Sequence, residues 1–390
     1  MNPLVSPPSH PDVLPHLGRN ARARATGAAV LASLIALTSC TASADDERSS
    51  TSAAEMSARV SDFLEQNDEH AKVKAVLVYE DGEPVLELYN GEDAKGYLNL
   101  RSVTKSVVST LIGIAIDEGL ITGVDATLGD LLPAHRDDMN AEVAAIPLDR
   151  ILTHTAGFPG EPESDWYSAS DTIGFIIADR VERGQGDGSF EYSDAGSHML
   201  AAILDQATDG GVLEFARAQL FDPLGIDSDP AWVETDQGTP EERAATAEAY
   251  IAADFAWPID PQGIHAGWAF MKLRPEDMAK LGLLYLNNGD WEGESLISST
   301  WVEEATSPHV DTFTTPSGYG YQWWTNTEEG VEMFLAVGYG GNLIAVVPDR
   351  DLVAVIASDF DVSDPLANAE KFNEGEAITM LQSVILAQPD

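Results

Sequence analysis

Cysteine, paired histidines and basic residues are what this sequence is short of. Its single cysteine, Cys40, rules out an intramolecular disulfide framework and a cysteine-rich metal centre. None of its eight histidines stands four residues from another, and no His-Glu-x-x-His occurs, so no metal site is expected. Lysine and arginine total 21 against 65 aspartates and glutamates. The resulting formal charge of −44 repels nucleic acid and anionic lipid, which excludes both as charge-driven partners. What is present is 44% hydrophobic residues over 390 positions. That suffices for one large domain, or two smaller ones, with a buried core, and it excludes a chain disordered throughout.

Arg19, Arg22 and Arg24 form a basic start, and residues 27–38 are small and apolar, the composition of an export signal. The run falls short of the roughly 20 residues a spanning helix needs. It ends in Leu37-Thr38-Ser39-Cys40, which resembles a bacterial lipobox. That resemblance implies cleavage before Cys40 and attachment at the outer face of the cell membrane through a lipid on its sulfur. An ordinary secretory peptide is the alternative, and export follows from both. Removing residues 1–40 leaves 18 basic against 64 acidic residues, a formal −46. Residues 41–56 are small, polar and aperiodic, and are expected as a flexible tether ahead of a folded domain at 57–390. The acidic surface is either a solvated face or a hydration device for high salt, which stability measured against salt separates.

Within that domain, a short helix is predicted over 56–67, and apolar runs around Asp81-Gly82 predict a hairpin over 75–89. Residues 107–116 read as a buried helix closed by Gly119. Further helices are predicted over 172–183, 196–207, 212–220, 275–287, 299–305 and 374–386. Strands are predicted over 318–325, 331–336, 342–347 and 352–358. Strands at both chain ends bracketing helices predict an α+β fold: one antiparallel sheet flanked by helices, with an all-helical subdomain inserted.

Three segments carry the chemistry. Ser102 and Lys105 lie one turn apart at the start of the predicted buried helix, so their side chains can meet. A serine hydroxyl needs a base, and a lysine desolvated among Val107, Val108, Leu111 and Ile112 is expected to have a lowered pKa. The helix start offers N–H groups to a developing oxyanion. A capping serine beside a surface lysine is the plainer alternative, but the chain has only seven lysines and this is its one Ser-x-x-Lys. Tyr192, in Phe190-Glu191-Tyr192-Ser193-Asp194, follows a glycine-rich loop; beside an ammonium its phenol is expected to be stabilised as phenolate and to carry protons. Helix capping by Ser193 or Asp194 next to a core tyrosine is the alternative there. Gly338-Tyr339-Gly340-Gly341-Asn342 enters a strand, either as a place where substrate lies along the edge or as a glycine-rich turn. Trp166, Trp268, Trp323 and Trp324 either wall a cleft or fill the core.

In this order and at these separations, the three segments resemble the serine beta-lactamase and penicillin-binding-protein superfamily, nearest its class C beta-lactamase-related branch of esterases, D-aminopeptidases and 6-aminohexanoate-dimer hydrolases. Residues 151–158, 221–226 and 319–324 also look like family segments. The resemblance implies Ser102 as acylated nucleophile, Lys105 as its base and Tyr192 as second proton carrier. It implies Tyr339, Gly340, Gly341 and Asn342 along the substrate, with the Asn342 and Ser102 N–H groups as oxyanion hole, and no cofactor. Two departures stand out. Asp194 replaces the usual Asn, an acceptor able to hold Lys105 charged and to repel anionic substrates. Tyr339 replaces a cation that meets a substrate carboxylate, so a small ester or amide substrate is expected over beta-lactam or D-alanyl peptide. A non-catalytic or singly acylated binding lipoprotein on the same fold stays open; the oligomeric state is not legible.

Overall fold

The computed structural model describes residues 44–91, 93–160, 166–184, 186–234, 240–328, 330–359 and 372–387. The predicted export segment, with Cys40, lies outside them. The strands, in chain order, are β1 (Val73–Glu80), β2 (Glu83–Tyr89), β3 (Leu98–Asn99), β4 (Lys272–Leu273), β5 (Asp290–Trp291), β6 (Glu294–Ser295), β7 (Val310–Asp311), β8 (Gly318–Tyr319), β9 (Trp324–Glu328), β10 (Val331–Gly338), β11 (Asn342–Val347) and β12 (Leu352–Ser358).

Eight of them make one sheet in the order β2-β1-β12-β11-β10-β9-β8-β7, with every neighbouring pair antiparallel. The first and last long strands of the chain pair one strand in from its β2 edge, where Val76 of β1 faces Ile356 of β12. Asp81 and Gly82 both take positive φ, 52° and 77°, the two-residue turn that matches the twist of paired strands.

Alternation along the strands builds two cores. Leu77, Ile344, Val346, Val353 and Val355 face one way, toward α2 (Val103–Asp117) and α10 (Pro275–Leu286). Val76, Leu343, Ala345, Ala354 and Ile356 face the other, toward α1 (Ala44–Glu65) and α12 (Glu374–Met380). Covered on both faces, β11 and β12 bury every residue, which is why they read as continuous apolar runs. Helix α10 lies so close that a Cβ on Gly282 would stand 2.6 Å from Val353 Cγ1.

The helical insert leaves after α2 and returns at β4, where Leu98 pairs with Leu273 and the Leu100 N–H donates to the Met271 carbonyl at 2.9 Å. It carries α3 (Leu128–Leu131), α4 (Ala141–Ala144), α5 (Leu148–Leu152), α6 (Thr172–Arg183), α7 (Asp194–Ala207), α8 (Val212–Ala216) and α9 (Pro240–Ala252). After α10, α11 (Ser299–Thr306) leads back to the sheet.

Two expectations need correcting. The tether expected over 41–56 is helix from Ala44 onward. Once Met56 and Val60 dock on the sheet, each added residue extends an existing helix and bears no nucleation cost. The single strand expected over 318–325 is two, β8 and β9. Between them the Gly320 N–H donates to Trp323 O, and Gln322 takes φ 61°.

Candidate active site

Ser102 forms the N-cap of α2, yet its side chain makes no capping bond, so Oγ is available to other partners. The residue before it, Arg101, is held at φ 52°, a conformation that costs a non-glycine residue about 1–3 kcal/mol. Asn99 Oδ1 accepts the Arg101 N–H at 3.0 Å, and the guanidinium lies 4.8 Å from the Phe270 ring centre and 5.8 Å from that of Tyr339.

One turn into α2, Lys105 is 1% exposed. Its Nζ donates to Ser102 Oγ at 3.2 Å, to Asp194 Oδ1 at 2.6 Å and to the Trp268 carbonyl at 2.8 Å. Three oxygen acceptors match the three N–H bonds of an ammonium; a neutral amine has only two. The lowered lysine pKa expected from the sequence is therefore corrected. Burial does push it down, but the Asp194 carboxylate, with Tyr192 adding to it, more than offsets this and leaves Lys105 above its ordinary value.

Asp194 reaches the lysine because its neighbour does the capping. Ser193 Oγ accepts the Gly196 N–H at 2.9 Å and donates to the Pro159 carbonyl at 2.6 Å, closing the start of α7. The Asp194 side chain, 28% exposed, is left to face the site.

Tyr192 sits just before that cap. Lys105 Nζ lies 4.8 Å from its ring centre, which sets the phenol against the ammonium that reaches Ser102. Burial raises its pKa and outweighs the lowering by Lys105, so the phenolate expected from the sequence is a neutral phenol. The Tyr192 ring is wedged between Trp324 and His154, with centroids 5.6 and 4.8 Å away. His154 Nδ1 accepts the Ser193 N–H at 3.3 Å, and burial holds this imidazole well below its usual pKa, hence neutral.

Ser102, Lys105, Tyr192 and Asp194 thus meet, although 89 residues separate Lys105 from Asp194. The glycine-rich segment divides. A Cβ on Gly338 would strike Leu100 O and come within 3.3 Å of Arg101 Cβ, so β10 ends against the residues leading into Ser102. Tyr339 follows, half-buried near Arg101. Gly340 O accepts from Ser358 Oγ, and Gly341, at φ 85°, packs on Phe372. Asn342 is fully buried: its Nδ2 donates to Asn99 O at 3.2 Å and its Oδ1 accepts the Ser358 N–H at 3.1 Å. It ties β11 to β12 and β3, and lies opposite Gly338 across the ladder.

Trp268 and Trp324 are half-buried beside the site, Trp166 is buried against Trp268 at 6.0 Å, and Trp323 belongs to the core with Tyr285. Sequence reasoning missed Arg101, His154 and the Trp268 carbonyl. His154 falls in a segment already singled out, and the strained Arg101 adjoins Ser102, but a backbone carbonyl leaves no signal in a sequence.

A family model described as Beta-lactamase matches residues 60–377. A 6-aminohexanoate-dimer hydrolase of Paenarthrobacter ureafaciens is 26% identical over 330 residues, covering 77% of this chain and 76% of that protein. Penicillin-binding protein 4 of Amycolatopsis lactamdurans is 23% identical over 329 residues, 76% of this chain and 83% of its own. In structure, a class C beta lactamase from Rhodobacter sphaeroides superposes with a TM-score of 0.59 at 17% identity, over 85% of this chain and 99% of that one.

Proposed function

From the premise that the chain belongs to the Beta-lactamase family of serine hydrolases, we propose that it cleaves an ester or amide bond through a Ser102 acyl-enzyme. The observation that carries this reading is Lys105 Nζ, which touches Ser102 Oγ at 3.2 Å while lying under the Tyr192 ring. Ser102 Oγ attacks the substrate carbonyl, the acyl group stays on the oxygen, and water then releases it. Tyr192, a neutral phenol beside Lys105, gives its proton to the leaving group and takes the one released by Ser102 Oγ in its place.

The negative charge that develops on the carbonyl oxygen needs N–H donors. One is the Ser102 N–H at the start of α2. For the second, the close approach of Gly338 to Leu100 and Arg101 favours the N–H of Tyr339 over that of Asn342. The Tyr339 phenol supplies no positive charge for a substrate carboxylate, so neutral acyl groups suit the site. The basic, apolar start of the chain and Cys40 support placing the enzyme at the outer face of the cell membrane, held by lipid.

A second reading, acylation without turnover, is favoured by the Lys105–Asp194 ion pair, because an ammonium cannot accept the serine proton directly. Pre-steady-state hydrolysis of p-nitrophenyl butyrate separates the two. A burst followed by steady turnover, both lost in Ser102→Ala, supports the hydrolase; a single stoichiometric burst supports the binder. A panel of acyl esters, a D-amino-acid amide, 6-aminohexanoate dimer and nitrocefin then ranks substrates.

A further inference from the structure

A second polar pair lies behind the site and takes no part in the chemistry above. His198 and Asp260 are both 0% exposed, with His198 Nε2 3.1 Å from Asp260 Oδ2. Groups buried so deeply need a partner on every polar atom, and each has one. Asp260 Oδ1 accepts the Gln262 N–H at 2.8 Å and the Ile264 N–H at 2.9 Å. Burial works to raise the Asp260 pKa, but the bonds from His198 and these two N–H groups outweigh it and leave a carboxylate. His198 Nδ1 accepts the Gly267 N–H at 3.4 Å. A backbone N–H can only donate, so Nδ1 carries a lone pair and the ring proton sits on Nε2, given to Asp260. The rings of Trp166 and Tyr167, 5.4 and 5.6 Å away, pack against the imidazole and keep it from turning.

The two ring nitrogens thereby tie both arms of one loop to α7. Residues 258–268 fold back on themselves, with Ile259 bridged to His265 and the Ala266 N–H donating to Pro258 O at 2.8 Å. Asp260 lies near the tip of this loop and Gly267 at its exit. Gly267 is flush with the helix: a Cβ there would strike Ser197 O and stand 2.9 Å from Ala201 Cβ. The next residue is Trp268, whose carbonyl takes one of the three Lys105 N–H bonds at 2.8 Å. His198 also follows Asp194 by one helical turn, and Asp194 takes another of those bonds at 2.6 Å. A single turn of α7 therefore sets two of the three acceptors around the ammonium, Asp194 directly and the Trp268 carbonyl by way of His198.

We propose that His198 and Asp260 are a positioning pair for the nucleophile. Asp260 fixes the tautomer of His198, His198 fixes the Gly267 N–H, and the Trp268 carbonyl is held where Lys105 can keep its remaining N–H on Ser102 Oγ. This rests on the hydrolase reading above. The pair moves no proton and touches neither substrate nor Ser102. Its effect follows from the geometry of a buried ammonium, which settles among whatever acceptors surround it. With the Trp268 carbonyl displaced, Nζ is drawn toward the Asp194 carboxylate and away from Oγ, and a shift of about 1 Å at a reacting group costs on the order of 100-fold in rate.

The experiment compares kcat for p-nitrophenyl butyrate in wild type, Asp260→Asn, His198→Asn and the double variant, with Ser102→Ala as control. In Asp260→Asn the Gln262 and Ile264 N–H groups keep the amide oxygen at Oδ1, so its NH2 faces His198. Nε2 must then accept, the ring proton moves to Nδ1, and it confronts the Gly267 N–H donor to donor; kcat falls about 30-fold. In His198→Asn the side-chain oxygen stands where Nδ1 stood and still accepts the Gly267 N–H, so kcat falls no more than about 5-fold. Adding His198→Asn to Asp260→Asn therefore restores kcat to the His198→Asn level. A pair that only stabilises the fold gives the opposite, a double variant no better than the worse single one, and that result overturns the proposal, as does wild-type kcat in Asp260→Asn. The double variant buries no charge at this point, so it remains testable where His198→Asn alone does not fold. Nitrogen-15 NMR of histidine-labelled wild type, assigned through the α7 backbone, reads the tautomer without any variant: a proton on Nε2 alone supports the pair, and a proton on Nδ1 overturns it. Absence of Ser102-dependent turnover in wild type defeats the hydrolase reading instead, and leaves the tautomer measurement standing apart from it.

Discussion

Tyr192 stacks on Trp324, their ring centres 5.6 Å apart and their planes within 22°. The contact joins the loop ahead of α7 to the first residue of β9, so the Tyr192 ring beside Lys105 is positioned from the sheet. Replacing Trp324 with Ala removes this wall, and the half-buried indole also touches Phe190 at 5.9 Å and Tyr319 at 4.9 Å. We expect Trp324→Ala to lower kcat about tenfold with little change in KM, and to cost about 2 kcal/mol of stability by urea titration, while Trp324→Phe restores most of both.

Ser102 makes no capping bond, so its hydroxyl contributes little to holding α2. Ser102→Ala should therefore abolish ester turnover while moving Tm by no more than about 3 °C, a small ΔΔG for a chain this long. A large fall in Tm would show the hydroxyl to be a structural acceptor for Lys105.

Gly338 and Gly341 lie three residues apart and should fail in different ways. A Cβ at Gly338 meets Leu100 O and Arg101 Cβ, next to Ser102. Gly338→Ala should reduce kcat at least 100-fold, because it pushes the strand end away from the oxyanion. A Cβ at Gly341 meets Phe372, from a backbone at φ 85°. Gly341→Ala should cost roughly 2–3 kcal/mol while the folded protein keeps its kcat. Equal loss of kcat in both variants would return the oxyanion donor to Asn342.

His265 is buried, with Nδ1 against the Trp257 carbonyl at 2.9 Å, and its pKa falls to about 4 chiefly through burial. In the unfolded chain it takes up a proton near pH 6.5. Between pH 6.5 and 4 the unfolded state binds the proton and the folded state does not, so stability is lost as pH falls through that window. The loss attributable to this residue is roughly 3 kcal/mol. Urea titrations at pH 7.5, 5.5 and 4.5 should show wild type weakening more steeply than His265→Asn; parallel slopes would reject the assignment.

Much of the fold was legible where local pattern and tertiary demand agree. Helix α6 spans the residues predicted for it, from Thr172 to Arg183, and β11 and β12 match their predicted ranges, because a doubly covered strand must be apolar at each position. The eight-residue strand expected over 318–325 failed because Gln322 is needed elsewhere. Its Nε2 donates to Leu152 O at 2.7 Å and its Oε1 accepts from Ser197 Oγ at 2.8 Å, which turns the chain between β8 and β9. No period in the sequence encodes a partner 170 residues away.

The sequence by itself determined which groups are present and which of them are neighbours along the chain. Ser102 and Lys105 were able to meet, since three residues make nearly one helical turn, and Ser193 or Asp194 was able to cap a helix. Tertiary structure decided what those groups are. A buried lysine is neutral or charged according to what faces it, and the carboxylate facing Lys105 comes from another helix, the Trp268 carbonyl from a loop and the rings beside Tyr192 from β9 and the turn after α5. Spacing fixes contact within a turn; charge state follows from the field of everything packed around it.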